Sequence, residues 1–341
     1  MTVKKPNDHP SVQQGKTGVL LINLGTPEAT DYWSIRAYLK EFLSDPRVIE
    51  VNRALWWVIL NGIILTFRPK KSGHAYAQIW NREKNESPLK TFTRNQTQKI
   101  AEVFATDEKI IVDWAMRYGK PAIKTGIEGL KEKGCDRILV FPLYPQYSAT
   151  TTASVFDKTA EALANMRWQP TLRFVPPFYD DPLYIKALAK RTKDHLKQLD
   201  WQPDMVVVSY HGLPKDYLLK GDPYYCHCMK TTRLLNQQLK IDDEKIITTF
   251  QSRVGRKEWL RPYTDETINQ LARDGKNIVL ISPAFISDCV ETLEELSIGL
   301  AEEFTNSGGK NFSVAPCLND SDISIDMLAK IIKRELQGWV G

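Results

Sequence analysis

The sequence predicts an α/β protein of two similar domains, each a parallel sheet flanked by helices. Three observations predict it. Apolar strand-like runs alternate with amphipathic segments along the chain, the βαβ rhythm of a parallel sheet covered on both faces. Glycine and proline end those runs abruptly, as at Gly25-Thr26-Pro27 and Gly212-Leu213-Pro214. A set of motifs recurs in the same order in both halves, and 341 residues suffice for two domains of common size.

Residues 1–16 are polar with two prolines and read as a flexible tail. In the first domain, residues 17–176, GVLLINL (Gly18 to Leu24) reads as a buried strand, and helical periodicity follows from Ser34 to Leu43. Further strands are expected over Lys109 to Met116, over Arg137 to Pro142 after the turn at Gly134, and over Thr171 to Val175 before Pro176-Pro177. Amphipathic helices are expected over Pro121 to Lys133, with proline at its start, and over Val155 to Met166. The second domain, residues 177–341, opens on the strand MVVVSY (Met205 to Tyr210) and closes on an amphipathic helix, Ile323 to Leu336, able to return to the first domain.

VLLINLGTPE (Val19 to Glu28) lines up with VVVSYHGLPK (Val206 to Lys215), Met116-Arg117-Tyr118-Gly119 with Ser252-Arg253-Val254-Gly255, and GCDRILVFP (Gly134 to Pro142) with GKNIVLISP (Gly275 to Pro283). The repeat is informative where it fails. Leu24 stands in the slot of His211, and Ser148 to Thr152 in the slot of Asp288 to Glu291. One domain thus offers apolar and hydroxyl groups to a shared cleft and the other imidazole and carboxylates. The first copy is also longer by about fifty residues near 49–90. This insert contains VNRALWWVILNGIILTF (Val51 to Phe67), followed at once by Arg68, Lys70 and Lys71. An apolar stretch with a basic flank suits a membrane interface, or the lip of a site for a flat, greasy, carboxylated ligand; a helix buried between domains is the plain alternative.

Composition narrows the class. The net charge of +5 is mild and scattered, which does not imply nucleic acid. Five cysteines, an odd number, fit a reducing cytosol better than a disulfide framework. No apolar run approaches the ~20 residues that cross a bilayer.

His211 falls at a strand's carboxyl end, the edge that faces the ligand crevice in an open α/β sheet, where an imidazole takes a proton, binds a metal, or is simply bonded into the turn. Asp288, Glu291 and Glu295 are spaced to share one face of a helix formed by SDCVETLEELSIGL, with Glu294 pointing elsewhere. Such a row binds a borderline divalent ion or moves protons, although acids in a first helical turn also have a capping explanation. Cys226-His227-Cys228, completed by Cys289 and Cys317, would be a rival zinc site, but a lone C-x-C matches that chemistry poorly, and small core filler is the commoner use. No Walker-type or G-x-G-x-x-G phosphate loop occurs.

INLGTPE (Ile22 to Glu28), FPLYPQYS (Phe141 to Ser148), SYHGLPKDYLLKGDPY (Ser209 to Tyr224), FQSRVG (Phe250 to Gly255) and SPAFISDCVETLEEL (Ser282 to Leu296) resemble the signature blocks of ferrochelatase, over about Gly18 to Leu336. The resemblance implies two Rossmann-like domains, a chelatase-like fold, with a porphyrin between them. It implies insertion of ferrous iron, a substrate, into protoporphyrin IX to form protohaem, the last step of haem synthesis. Matched motif by motif, it places metal binding and catalysis on His211 and Glu291, a proton or metal path on Asp288 and Glu295, and porphyrin contacts on Leu24, Arg68, Tyr76, Ser87 and Arg117.

Two departures from the family pattern matter. Many members carry histidine where this chain has Cys289. Animal members bind a 2Fe–2S cluster through a cysteine-bearing C-terminal extension; here the last cysteine is Cys317 and Ala149 stands where they have another, so no cluster and a monomer are expected. The expected location is cytoplasmic, with peripheral contact to the inner membrane through Leu55 to Leu65. Close alternatives are a coproporphyrin ferrochelatase and a non-catalytic tetrapyrrole or metal carrier; a metallohydrolase is a more distant one.

Overall fold

The carboxyl ends of two twin sheets face each other across the molecule. The structure, a computed structural model, describes residues 8–9, 15–255 and 257–340, so most of the tail expected over residues 1–16 lies outside the described residues. Strand β1 (Lys16–Gly25) is central to the first sheet, flanked by β2 (Ile110–Tyr118) and β3 (Cys135–Pro142), with β4 (Thr171–Phe174) beyond β3. Val19, Leu20, Leu21 and Ile22 are all fully buried, because helices cover both faces, and this is why GVLLINL does not alternate. The second sheet repeats the order with β5 (Met205–His211) central, β6 (Ile246–Gln251) and β7 (Ile278–Ile281) beside it, and β8 (Phe312–Val314) outside β7. All pairings within the sheets are parallel.

The register corrects two of the motif alignments. Val19 pairs with Leu139 and Val206 with Val279; Asn23 pairs with Met116 and Tyr210 with Phe250. With β1 set on β5, Pro142 therefore matches Ser282, not Pro283, and Met116 matches Phe250, not Ser252. The likeness between RYG and RVG sits two residues out of structural register.

In the first half the helices are α1 (Tyr32–Ser44), α2 (Arg53–Ile59), α3 (Leu65–Ile79), α4 (Pro88–Val103), α5 (Ile123–Glu132) and α6 (Ser154–Ala164). Helix α5 starts two residues later than Pro121 suggests, because the Pro121 carbonyl is held by the Met116 N–H on β2 at 2.7 Å. The second half adds α7 (Pro182–Gln198), α8 (Lys215–Leu219), α9 (Tyr224–Leu239), α10 (Thr264–Arg273), α11 (Ala301–Asn306) and α12 (Asp322–Glu335). Helix α12 packs on both α4 and α7. One apolar core runs through both sheets, from Val19 and Phe141 to Val208, Val279 and Ile332.

The insert is α2, a π-helical turn (Leu60–Ile64) and α3. Its inner side adds Leu60, Leu65 and Tyr76 to a smaller cluster with Ile35, Tyr38 and Tyr118. Its outer side is bare: Leu55, Trp57, Val58, Ile63 and Phe67 are each more than half exposed, so the insert is not a helix buried between domains. Trp56 turns inward, and its indole N–H donates to the Leu43 carbonyl at 2.7 Å. No helix among the described residues is long and apolar enough to cross a membrane.

Candidate functional site

In each sheet the chain order reverses beside the central strand, and ligands of open α/β sheets bind outside the carboxyl ends at such points. A narrow cleft lies there, lined by Leu24, Gly25, Thr26, Tyr38, Tyr76, Ile79, Ser87, Pro88 and Leu89 on the first half and by Cys289, Val290 and Glu291 on the second. Gly25 lets the loop leave β1: its φ is +116°, and a Cβ there would lie 1.8 Å from the Tyr118 carbonyl oxygen.

His211 ends β5 with its Nδ1 2.7 Å from the Gly212 carbonyl oxygen. A carbonyl only accepts, so Nδ1 carries the hydrogen, and Nε2 is the basic nitrogen of the neutral ring. Across from it, Glu291 begins a π-helical segment that runs to Leu300. Bonds to the fifth residue back widen its turn, as the Ser297 hydroxyl on the Thr292 carbonyl marks at 2.9 Å. The side-chain amide of Gln251 donates to the Glu291 carbonyl at 3.2 Å, tying this segment to the end of β6.

Burial pushes the Glu295 carboxyl up, and the charges of Glu291 and Glu294 push it the same way. The hydrogen bond from Ser252 and the positive charge available to His211 oppose this without overcoming it. His211, Glu291 and Glu295 therefore act within one local field. Glu291 also reaches the opposite wall: burial first, and then its charge, raise the Tyr76 phenol, and the same two causes raise the Cys289 thiol on its own side.

His211 and Glu295 neighbour Glu291 without lining the cleft themselves, and three other expected residues lie elsewhere than the sequence suggests. Asp288 is not on a helix face with Glu291 and Glu295, because the helical segment begins only after it. It is buried, and its carboxylate accepts from the Thr292 hydroxyl at 2.9 Å and the Asn319 amide at 2.6 Å, bonds that fix it in the preceding loop. Arg117 does not line the cleft. Its guanidinium is buried against Asp45 at 2.5 Å, in a network with Tyr118 and Ser154. Arg68 is exposed on α3. Leu24, Tyr76 and Ser87 do line the cleft, and Ser87 also caps α4 by accepting from the Lys90 N–H at 3.2 Å.

Ser148 to Thr152 also enter their helix through a π-helical turn, Ala149–Ala153, but they do not line the cleft; the Ser148 hydroxyl faces Asp222 and Thr150. His227 stacks on Tyr179 at 3.6 Å and Cys228 is buried, while all five cysteines are free. Among the described residues no group of three or more His, Cys, Asp or Glu side chains could hold a metal ion, which removes the zinc reading of Cys226-His227-Cys228. Sequence reasoning missed Thr26, Tyr38, Gln251 and Ser252 as site residues. Thr26, Gln251 and Ser252 stand inside quoted blocks, whereas Tyr38 is one apolar-face residue of α1 with no motif to mark it.

The ferrochelatase family model matches residues 16–336. A ferrochelatase from Chelativorans sp. (strain BNC1) is 58% identical over 335 residues, covering 98% of this chain and 95% of its own. One from Rhizobium meliloti (strain 1021) is 56% identical, covering 98% of each. Among solved structures, SirB from Bacillus subtilis with Fe3+ is similar in fold, with a TM-score of 0.57 at 12% identity over 95% of this chain and 97% of that one.

Proposed function

The chain belongs to the ferrochelatase family, and from that premise we propose a division of labour among its residues. The protein is a metal chelatase that inserts iron into a porphyrin in haem biosynthesis. Our reading is that the iron is ferrous, the porphyrin is protoporphyrin IX, and the product is protohaem. The observation that carries the residue assignment is that Glu291, neighbour to Glu295 and His211, lines one cleft with Leu24, Tyr76 and Ser87.

Insertion must remove two pyrrole N–H protons while a hydrated ion sheds water. A flat ring hides its nitrogen lone pairs, so walls that hold it bent bring it closer to the transition state. His211 Nε2 would take a proton or hold the ion, with Glu291 as its partner. Two ligands rather than a closed set of four suit an ion that has to leave for the ring. Glu295, whose burial favours its neutral form, would receive the proton, and Asp288, hydrogen-bonded to Thr292, would form the far end of the path. Leu24, Tyr76 and Ser87 would touch the ring, Arg68 would meet a carboxylate at the outer rim, and Arg117 would act from beneath the wall. The free space in the cleft, about 10 Å³, is far below the ~300 Å³ at which small-molecule sites begin, so the α2–α3 wall would move outward to admit a tetrapyrrole.

The bare apolar side of α2–α3, with Arg53, Arg68, Lys70 and Lys71 nearby, supports peripheral contact with the anionic cytoplasmic face of the inner membrane, where a poorly soluble ring would be held. A monomer without a 2Fe–2S cluster completes the proposal. Anaerobic assays with Fe²⁺ and either protoporphyrin IX or coproporphyrin test it. Faster turnover of protoporphyrin is expected, preference for coproporphyrin would move the assignment to that substrate, and metallation of neither would end it.

A further inference from the structure

We propose that Thr26 is a further porphyrin ligand, a hydroxyl that donates to one of the ring's carboxylates and favours carboxylated rings over alkyl ones. The inference rests on the porphyrin reading of the cleft. Thr26 is 1% exposed, and its Oγ1 makes no well-formed hydrogen bond: only the Tyr76 phenol, beside it in the cleft lining with Ser87, comes within its reach. A buried hydroxyl without a partner destabilises the free protein, so one aimed into a ligand cleft indicates the group that will satisfy it.

The loop holds the Thr26 backbone fixed. Gly119, at φ +87°, approaches so closely that a Cβ on it would lie 2.7 Å from the Thr26 carbonyl oxygen, which wedges the Thr26 backbone against the end of β2. The surroundings select an anion. Ser87 caps the 16-residue α4, whose N-terminus is the positive end of its dipole. Because the Ser87 oxygen accepts from the Lys90 N–H, its own hydroxyl hydrogen is free to donate. Glu291, on the opposite wall, repels a carboxylate, so the acidic edge of the ring would turn toward the α4 end and its centre toward Glu291 and His211.

The test is porphyrin binding to the full chain, followed by quenching of tryptophan fluorescence, with wild type, Thr26→Val, Thr26→Ala and Thr26→Ser. Losing one hydrogen bond to a charged group should raise the protoporphyrin Kd about tenfold in Thr26→Val and Thr26→Ala, and Thr26→Ser should restore it. Binding of a porphyrin with alkyl groups in place of its carboxylates should be equal in all four. Thr26→Val should also raise the Tm of the unliganded protein, because an isosteric methyl replaces the unpaired hydroxyl. An unchanged protoporphyrin Kd, or an equal loss for the alkyl ring, overturns the role of Thr26. Failure of the wild type to bind either ring would instead overturn the porphyrin reading itself.

Discussion

The Ser252 hydroxyl stands 2.8 and 2.7 Å from the two carboxylate oxygens of Glu295, held there by a left-handed backbone of φ +67° that L residues seldom adopt. One hydroxyl hydrogen serves two oxygens, and a costly backbone conformation holding a neighbour of the cleft-lining Glu291 marks a group whose position matters. Glu295 is raised by burial, so the folded protein holds that proton more tightly than the unfolded chain does. Its contribution to stability is therefore full below the unfolded value, about 4.3, and is lost as pH rises through the raised folded value. Glu295→Gln should raise the Tm at neutral pH by about 2 °C while lowering the metallation rate at least tenfold. Ser252→Ala, which removes the one hydrogen bond holding the charged form, should move the acidic limb of the rate–pH profile upward. A Glu295→Gln enzyme with the wild-type rate would remove Glu295 from the proton path.

Asp45 has the opposite sign. Burial pushes it up, but hydrogen bonds from Ser154, Tyr118 and the Arg47 N–H, together with the Arg117 charge, bring it below the usual carboxylate range. Its stabilisation is present above the unfolded value and lost as pH falls through the folded one. Asp45→Asn leaves the buried Arg117 guanidinium without its counter-charge and should cost about 3 kcal/mol near pH 7, with the gap from wild type narrowing in acid. Urea denaturation at pH 7 and pH 3 measures both.

His211→Ala should reduce metallation by at least ~100-fold while the porphyrin Kd changes by less than about twofold. Glu291→Gln should show the same split. Loss of porphyrin binding in parallel with the rate would make these residues part of the ring's wall rather than of the metal's route.

Trp57→Ser with Phe67→Ser should lower sedimentation with anionic liposomes several-fold and leave the Tm nearly unchanged, because both side chains are exposed, at 65% and 72%. Trp56→Ser should instead lower the Tm, because it removes a half-buried ring and the bond to Leu43. Equal partitioning of the double variant and the wild type would rule out this face as the contact.

Both sheets were legible because apolar runs such as VLLI and VVVS, buried on two faces, carry their signal locally. Strand β8, only Phe312–Val314 and half-buried, was not expected, and neither the π-helical turns nor the place of Asp288 could be read from spacing. The bond from Asn319 that draws Asp288 out of the helix comes from 31 residues away, and periodicity does not report such contacts. Arg117 illustrates the same limit: its motif is visible, but Asp45, the partner that occupies its guanidinium, is 72 residues distant in sequence.

Helix α12 covers α4, and its Ile325, Leu328, Ile331 and Ile332 lie in the core that also holds Ile100 and Val19. During synthesis this cover is made after everything it protects. The nascent first half therefore leaves the ribosome with a greasy flank unfinished, and chaperone demand should be highest before α12 emerges.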